Sequence, residues 1–140
     1  LLQAGVDVDK AYNDGATALV MASQRGHAAI VKTLLQAGAD VNKAADDGGT
    51  ALIAASQEGH AAIVEVLIQA GADVDKAANN GATAMILASG RGHAATVEVF
   101  LEAGADLDKA NNDGVTALKV ARRYGHSAIV KLLLDAGATK

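Results

Sequence analysis

The sequence repeats itself every 33 residues, and this period constrains the fold more than any other feature. Three residue types mark it: Gly15, Gly48, Gly81 and Gly114; Thr17, Thr50, Thr83 and Thr116; and His27, His60, His93 and His126. Residues 13–45 match residues 46–78 at 24 of 33 positions. A fixed period of about 20–50 residues is typical of solenoids, in which each unit buries its apolar face only against its neighbours. We therefore expect a stack of similar units rather than a globule.

The first full unit predicts two helices joined by tight turns. The Asn-Asp-Gly run at residues 13–15 is a turn signal, because Asn and Asp bond to local backbone and Gly accepts positive φ. Thr17 is a natural N-cap for the short apolar stretch that follows it, and Gly26 is expected to end that helix. A second stretch with helical spacing ends at Gly38. Residues 39–45 are then predicted to form an extended connector to the next turn.

Four runs in this unit resemble the ankyrin repeat, whose usual signature contains G-x-T-P-L-H-x-A-A, then G-H-x-x-I-V-x-x-L-L, then G-A-D-V-N. The matching runs are Gly15-Ala16-Thr17-Ala18-Leu19, Gly26-His27-Ala28-Ala29-Ile30-Val31, Leu34-Leu35 and Gly38-Ala39-Asp40-Val41-Asn42. The resemblance implies an all-α ankyrin-repeat solenoid. In such a fold antiparallel helix pairs stack side by side, and β-hairpin or turn connectors project from one edge.

The resemblance covers essentially the whole chain and divides it into one fragment and four units. They are residues 1–12, the C-terminal remnant of a preceding repeat; residues 13–45, 46–78 and 79–111, three ankyrin repeats; and residues 112–140, a C-terminal capping repeat. The last unit carries Lys119 and Arg122 where earlier units have apolar or small residues. Solenoids protect their ends with polar capping units, so we expect one face of this unit to tolerate solvent.

The chain departs from the ankyrin signature at two positions in every unit. Ala replaces its Pro, and the His after it is replaced by Val20, Ile53, Ile86 or Lys119. In the family that His bonds to neighbouring polar groups. Its loss predicts one fewer hydrogen bond between repeats in each unit, worth about 1 kcal/mol net. The three apolar replacements predict that packing takes the place of this bond.

Charge and composition narrow the classes of function. The net charge is −4 with both signs interspersed, which argues against non-specific binding of nucleic acid, since that needs a basic stripe. No apolar run approaches the roughly 20 residues that cross a bilayer, so no membrane association is expected. The chain has no Cys, which excludes disulfides and thiolate chemistry. These features fit an intracellular, cytoplasmic protein.

The candidate reactive and metal-binding groups all fit structural roles better. Equivalent His residues on stacked helices should lie about 8–10 Å apart, too far to share a zinc ion, so each is expected to fix the loop before the second helix. The pairs Asp7/Asp9, Asp73/Asp75 and Asp106/Asp108 suggest calcium, but an EF-hand loop starting at Asp7 would have Tyr12 at its obligatory Gly position. These carboxylates are expected to bond turn amides instead.

Catalytic signatures are likewise weak. The run from Gly90 to Gly92 is a lone G-x-G without the third Gly of a phosphate loop, and Gly90, which stands where two earlier units have Gln, is expected only to fray a helix end. Ser23, Ser56 and Ser89 recur once per unit, whereas a catalytic residue is normally singular. We therefore predict a protein that is not an enzyme and needs no cofactor or metal.

The family resemblance places a partner-binding surface on the hairpin tips and the adjoining ends of the first helices. Carried over to this chain, the candidate contact residues are Tyr12, Asn13, Asp14, Ala16, Gln24, Arg25, Asp46, Asp47, Gln57, Glu58, Asn79, Asn80, Arg91, Asn112, Asp113, Arg123 and Tyr124. They vary between units, which suits recognition, but few are the Trp, Tyr or Arg that dominate binding energy. The predicted function is a monomeric protein–protein interaction scaffold with a concave and hairpin-tip surface. The alternative is a structural spacer whose binding site lies on other repeats.

Two further hypotheses concern modification and origin. The run from Leu34 to Asn42 resembles the hairpin that asparaginyl hydroxylases accept in ankyrin proteins, which makes Asn42 a candidate hydroxylation site beside its plain structural role. The equivalent positions are Asp, so only Asn42 fits. The strong self-similarity also fits a consensus-derived design, whereas Gly90, Phe100 and the absent Pro favour a natural sequence.

Overall fold

A computed structural model of the chain describes residues 7–139 and places two α-helices in each of the four units. The helices are α1 (Ala18–Arg25), α2 (Ala28–Gln36), α3 (Ala51–Gln57), α4 (Ala61–Gln69), α5 (Ala84–Arg91), α6 (Ala94–Glu102), α7 (Ala117–Arg123) and α8 (Ser127–Asp135). Half of the predicted N-terminal remnant, residues 1–6, lies outside the described residues, as does Lys140.

Local sequence signals set where the first helix of each unit begins and ends. The hydroxyl of Thr17 accepts a hydrogen bond from the backbone N–H of Val20, and the equivalent Thr caps α3, α5 and α7 in the same way at 3.2–3.3 Å. Gly26 ends α1 in the left-handed region at φ 80°, where it donates its N–H to the carbonyl of Ala22. Both predictions, the Thr N-cap and the Gly stop, are confirmed. An Ala at Gly26 would have to adopt a conformation that L-residues disfavour.

The helices form two layers. In the first layer, α1, α3, α5 and α7 pack side by side; in the second, α2, α4, α6 and α8 do the same, and each helix also packs on its partner in the unit. Small side chains at one repeated position, Ala22, Ala55, Ala88 and Ala121, are buried in the first layer and allow neighbouring helices to approach closely. The larger buried side chains also recur with the period: Leu19, Leu52, Met85 and Leu118; Leu34, Leu67, Phe100 and Leu133; Val31, Val64 and Val97. The core is therefore continuous along the stack, as a solenoid requires.

The third unit fills its core with a different pair of side chains. Thr96 stands where the second and fourth units have Ile63 and Ile129, and Phe100 stands where they have Leu. Residues four apart share a helix face, so the smaller Thr offsets the larger Phe. The exchange leaves a polar atom in the core, since the Thr96 hydroxyl is fully buried and has no hydrogen-bond partner.

The connectors form turns, as the family resemblance allowed, and not the extended segment predicted for residues 39–45. Residues 40–43 turn, with the N–H of Lys43 donating to the carbonyl of Asp40 at 3.3 Å. Between residues 7 and 139 the only β-pairing is an isolated antiparallel bridge from Ala77 to Thr83, without strands or a sheet. The reason is local: a side-chain oxygen of Asp40 accepts the N–H of Asn42 at 3.0 Å, and such Asx bonds favour turns over strands.

Side chains from one unit tie down the backbone of the unit before it. The Nε2 atoms of His60, His93 and His126 lie 3.0 Å from the carbonyls of Gln24, Gln57 and Gly90. Because a carbonyl only accepts, each Nε2 carries a proton. The sequence predicted that each His fixes the loop before its own second helix. The three rings bond instead to carbonyls in the last turn of the first helix of the preceding unit.

Apolar packing occupies the position of the missing signature His. Val20, Ile53 and Ile86 are each at most 8% exposed. Lys119 is exposed at the same position in the last unit, where its ammonium donates to the carbonyl of Gly114. The prediction that packing replaces a hydrogen bond in the first three units is confirmed.

Candidate functional site

A groove runs between the turn tips and the first helix layer. We define the turn tips as residues 12–14, 45–47, 78–80 and 111–113, and the helix ends as residues 24–25, 57–58, 90–91 and 123–124. Open cavities of about 620, 370 and 570 Å³ follow the groove from the first unit to the last. The second and third cavities share Gln57, Asn80, Ala82 and Leu87, so they form one continuous depression.

Most of the residues predicted to contact a partner lie exposed along this groove. The exposed ones are Tyr12, Asn13, Asp14, Gln24, Arg25, Asp46, Asp47, Glu58, Asn79, Asn80, Arg91, Asn112, Asp113, Arg123 and Tyr124, and Gln57 is half-buried. Ala16 does not belong with them, because it is only 6% exposed. Its carbonyl accepts the N–H of Tyr12 at 3.0 Å, and this hydrogen bond closes the turn. Ala16 therefore has a structural role.

Several turn-tip amides are already engaged in holding the units together. The side-chain amide of Asn79 donates to the carbonyl of Asp46 at 2.8 Å, and that of Asn112 donates to the carbonyl of Asn79 at 3.1 Å. The backbone adds a parallel set of bonds, for example from the N–H of Asn79 to the carbonyl of Asp47 at 2.9 Å. The tips therefore form a continuous ladder rather than separate fingers. The side-chain amides of Asn79 and Asn112 are therefore already hydrogen-bonded within the protein before any partner binds.

Charge is divided between the two sides of the groove. The turn tips carry the exposed carboxylates Asp14, Asp46, Asp47 and Asp113. The helix ends carry the exposed Arg25, Arg91 and Arg123, with Glu58 as the one acidic member. A partner that spans the groove thus meets acidic groups on one side and mainly basic groups on the other, which favours one orientation over its reverse.

Sequence reasoning missed the floor of the groove. Met21, Ala54, Leu87 and Val120 occupy one repeated position in the first helices, and all four are half-buried. They differ in size while the fully buried neighbours stay nearly constant. This variation in size was the one sequence signal that could have identified the groove floor. The periodicity of apolar residues does not distinguish a half-buried groove floor from a buried core.

Gly90 also has a different role from the one expected. It lies inside α5 rather than at a frayed end, and its carbonyl accepts from the Nε2–H of His126 at 3.0 Å. A Cβ on this residue would lie 3.0 Å from Cγ2 of Val120, so even Ala would press on α7. Gly in a helix costs about 1 kcal/mol relative to Ala, so its presence here is not neutral. Gly90 also lines the cavity of about 570 Å³, together with Leu87 and Val120.

The acidic pairs bond to backbone, as predicted. An oxygen of Asp7 accepts the N–H of Asp9 at 2.9 Å, and an oxygen of Asp9 accepts the N–H of Asp40 in the next unit at 2.8 Å. The same link recurs from Asp75 to Asp106 at 2.9 Å. In the described part of the chain, no three His, Cys, Asp or Glu side chains come together in a way that could hold a metal ion.

Asn42, the candidate hydroxylation site, occupies the same linking position. Its side-chain oxygen accepts the N–H of Asp73 at 2.8 Å, and its amide donates to the carbonyl of Gly71 at 3.4 Å. The residue is half-buried at the boundary between two units. Its modification stays a prediction.

Comparison with known proteins agrees with the stacked geometry. A family model described as "Ankyrin repeats (3 copies)" matches residues 1–78 and again residues 74–140. No curated protein matches the chain significantly. From residue 7 to residue 139, no helix has both the length and the apolar character needed to cross a membrane.

Proposed function

The chain belongs to the ankyrin-repeat family, and from that premise we propose that it is an interaction module whose groove holds a partner protein. Ankyrin repeats are generally protein–protein interaction modules. The groove defined above is long, open and bordered by side chains on rigid helices and on turns tied to each other. Such preorganisation lowers the entropic cost of binding.

The observation that carries the proposal is the contrast between buried and groove positions. Thr17 and its three equivalents are identical and buried, as their capping role demands. One helix-end position, by contrast, holds Arg25, Glu58, Arg91 and Tyr124, all exposed. The stacking of the units does not require these exposed residues to differ. Their differences give each unit a distinct surface that a partner could recognise. Tyr and Arg are also the residue types that most often anchor interfaces.

The same pattern supports a role without catalysis. Ser23, Ser56 and Ser89 are fully buried, so their hydroxyls lie in the scaffold and out of reach of a substrate. The His rings bond to backbone carbonyls of neighbouring units through Nε2. We propose that the protein acts as a monomer that binds and positions a partner.

Affinity capture with mass spectrometry tests the proposal. The bait is the full chain, compared with a groove variant carrying Arg25→Ala, Arg91→Ala and Tyr124→Ala. The matched control carries Lys32→Ala and Glu98→Ala, which change exposed residues of the second layer. A partner should be retained by the parent chain and the control and lost by the groove variant, with all three melting alike. Equal retention by the groove variant contradicts the proposal.

One observation favours the second candidate function, a structural spacer. The amides of Asn79 and Asn112 serve the ladder between units, which stiffens the array whether or not a partner is present. A spacer should capture no partner that depends on the groove residues. It should, however, lose stiffness when both ladder amides are removed by Asn→Ala. Hydrogen exchange at the turn tips measures that loss.

A further inference from the structure

We propose that the outer face of the last unit docks a partner helix that begins with a His and carries a carboxylate nine residues later. The outer face is the side of α7 and α8 that is turned away from the third unit. A cavity of about 240 Å³ on this face is lined by Ala121, Arg122, Gly125, Ser127 and Val130. None of these residues lines the cavities of the groove, so the inference goes beyond the proposed function.

Three junctions inside the stack show what such a cavity accepts. At each junction, a His ring of one unit lies against the Gly that follows the first helix of the preceding unit. A Cβ on Gly26, Gly59 or Gly92 would lie only 2.7–2.9 Å from that ring. The Nε2 atom of the same ring lies 3.0 Å from the carbonyl two residues before the Gly. We call the Gly and this carbonyl together the imidazole site.

The last unit has a fourth imidazole site, formed by Gly125 and the carbonyl of Arg123. Its backbone matches that of the second unit, since φ is 72° at Gly125 and 78° at Gly59, and each N–H donates to the carbonyl three residues back at 3.2 Å. Within residues 7–139, no atom beyond the chain neighbours lies within 4 Å of the point that a Cβ on Gly125 would occupy. Arg122, which lines the cavity, therefore leaves this site open to a ring.

The second helix of the last unit has an apolar side chain that a docked helix would cover. Leu134 is 45% exposed, whereas the same position is half-buried in the other units, at Leu35, Ile68 and Leu101. In those units the following second helix packs alongside; for example, Ile68 lines one cavity with Val99 of α6. Each His at an occupied site directly precedes such a helix, so a partner with the same arrangement would bury Leu134.

The charge beside this position calls for a carboxylate on the docked helix. Glu65 of α4 and Glu102 of α6 line the same cavity at the junction of the second and third units. The last unit has the exposed Lys131 at the position of Glu65. Glu102 lies nine residues after His93, so a partner helix docked as α6 is docked would place its own carboxylate beside Lys131. Opposite charges across an interface favour that partner over others.

A peptide copy of α6 is the probe for this surface. We would titrate residues 92–104 of the chain, acetylated and amidated, into the isotope-labelled full chain and follow backbone NMR signals. Shifts are expected at residues 121–134. The dissociation constant should be on the order of millimolar, because an isolated helix of this length is marginal in water and must become ordered. A second peptide has thienylalanine, a five-membered ring without an N–H, in place of His93. It should bind about fivefold more weakly, which is the contribution of one hydrogen bond.

Two Gly variants assign the binding to the imidazole site. Gly125→Ala places a Cβ where the ring would lie and should weaken binding of the parent peptide at least about fivefold. Gly104→Ala is the matched control, since Gly104 has a similar φ of 76°, also has nothing within 4 Å of a built Cβ, and lies in the third unit. It carries the same backbone strain but should leave the affinity unchanged.

A charge exchange tests the carboxylate. Lys131→Glu gives the last unit the residue of the second unit and should weaken binding of the parent peptide about threefold, as expected for an exposed ion pair. A peptide with Glu102→Lys should also bind the parent chain more weakly. The same peptide should regain affinity for the Lys131→Glu variant, because the pair is then restored with its charges reversed.

Equal binding of the His and thienylalanine peptides, an unchanged affinity after Gly125→Ala, no recovery in the charge exchange, shifts confined to the groove, or no binding at all would each overturn the proposal. A second copy of the chain is the other occupant to test, since His27 is exposed. Self-association of the full chain in sedimentation that His27→Ala abolishes would assign the site to that second copy and contradict a partner helix. A monomer that binds the peptides as described supports the proposal.

Discussion

Replacing Thr96 by Val should stabilise the protein, although it deletes a polar atom that ordinarily forms hydrogen bonds. Thr96 lies in α6, is fully buried, and its hydroxyl has no hydrogen-bond partner. Val has nearly the same shape and nearly the same helix propensity as Thr. The substitution therefore changes little besides the hydroxyl, which lost its bonds to water when the chain folded.

The expected gain follows from the cost of such a group. An unsatisfied buried hydroxyl costs about 1–3 kcal/mol, so Thr96→Val should raise the free energy of unfolding by about 1–2 kcal/mol. For a domain of this size, 1 kcal/mol corresponds to a rise in Tm of roughly 3 °C. Urea unfolding followed by circular dichroism measures the free energy, and an unchanged m-value shows that the exposed surface on unfolding is the same.

Two comparisons make the result decisive. Thr17→Val removes the same atom where it caps α1, so that variant should lose about 1 kcal/mol. Thr96→Ile, which copies the second and fourth units, should gain less than Val or lose stability, because the larger Phe100 already fills that space. Adding Phe100→Leu should relieve the crowding. A neutral or destabilised Thr96→Val variant would refute the reasoning.

Three further outcomes are expected. Asp75→Ala should lower the free energy of unfolding by about 1 kcal/mol, since it removes the acceptor for the N–H of Asp106, whereas Asp75→Asn should be nearly neutral in the same urea titration because it keeps an oxygen there. Lys119→Ile with Arg122→Ser gives the last unit the residues that are buried between units elsewhere, so the chain should associate end to end, and an unchanged monomer mass in light scattering contradicts this. Incubation with an asparaginyl hydroxylase should add one oxygen atom at Asn42, and an unchanged intact mass ends that hypothesis.

The groove was only partly predictable from the sequence. Its exposed rims were identified because their residues vary at a fixed position of the period, as at Arg91 and Tyr124. Ala16 was misplaced on the surface, since a turn residue can face either way and the sequence does not say which. The groove floor of Met21, Ala54, Leu87 and Val120 was missed, because a half-buried apolar side chain has the same sequence signal as a buried one.

By itself, the sequence determined the period, the helix boundaries and the stacking of similar units. These depend on contacts within one turn of helix, such as the Thr17 hydroxyl and the N–H three residues later, or on apolar faces that every unit shares. Only the tertiary structure decided which polar groups meet between units, such as Asp9 with Asp40 or His60 with Gln24, residues 31 and 36 apart. Those pairs depend on how far each unit is shifted and rotated against the next. That geometry results from the packing of whole helices, which no short stretch of sequence specifies.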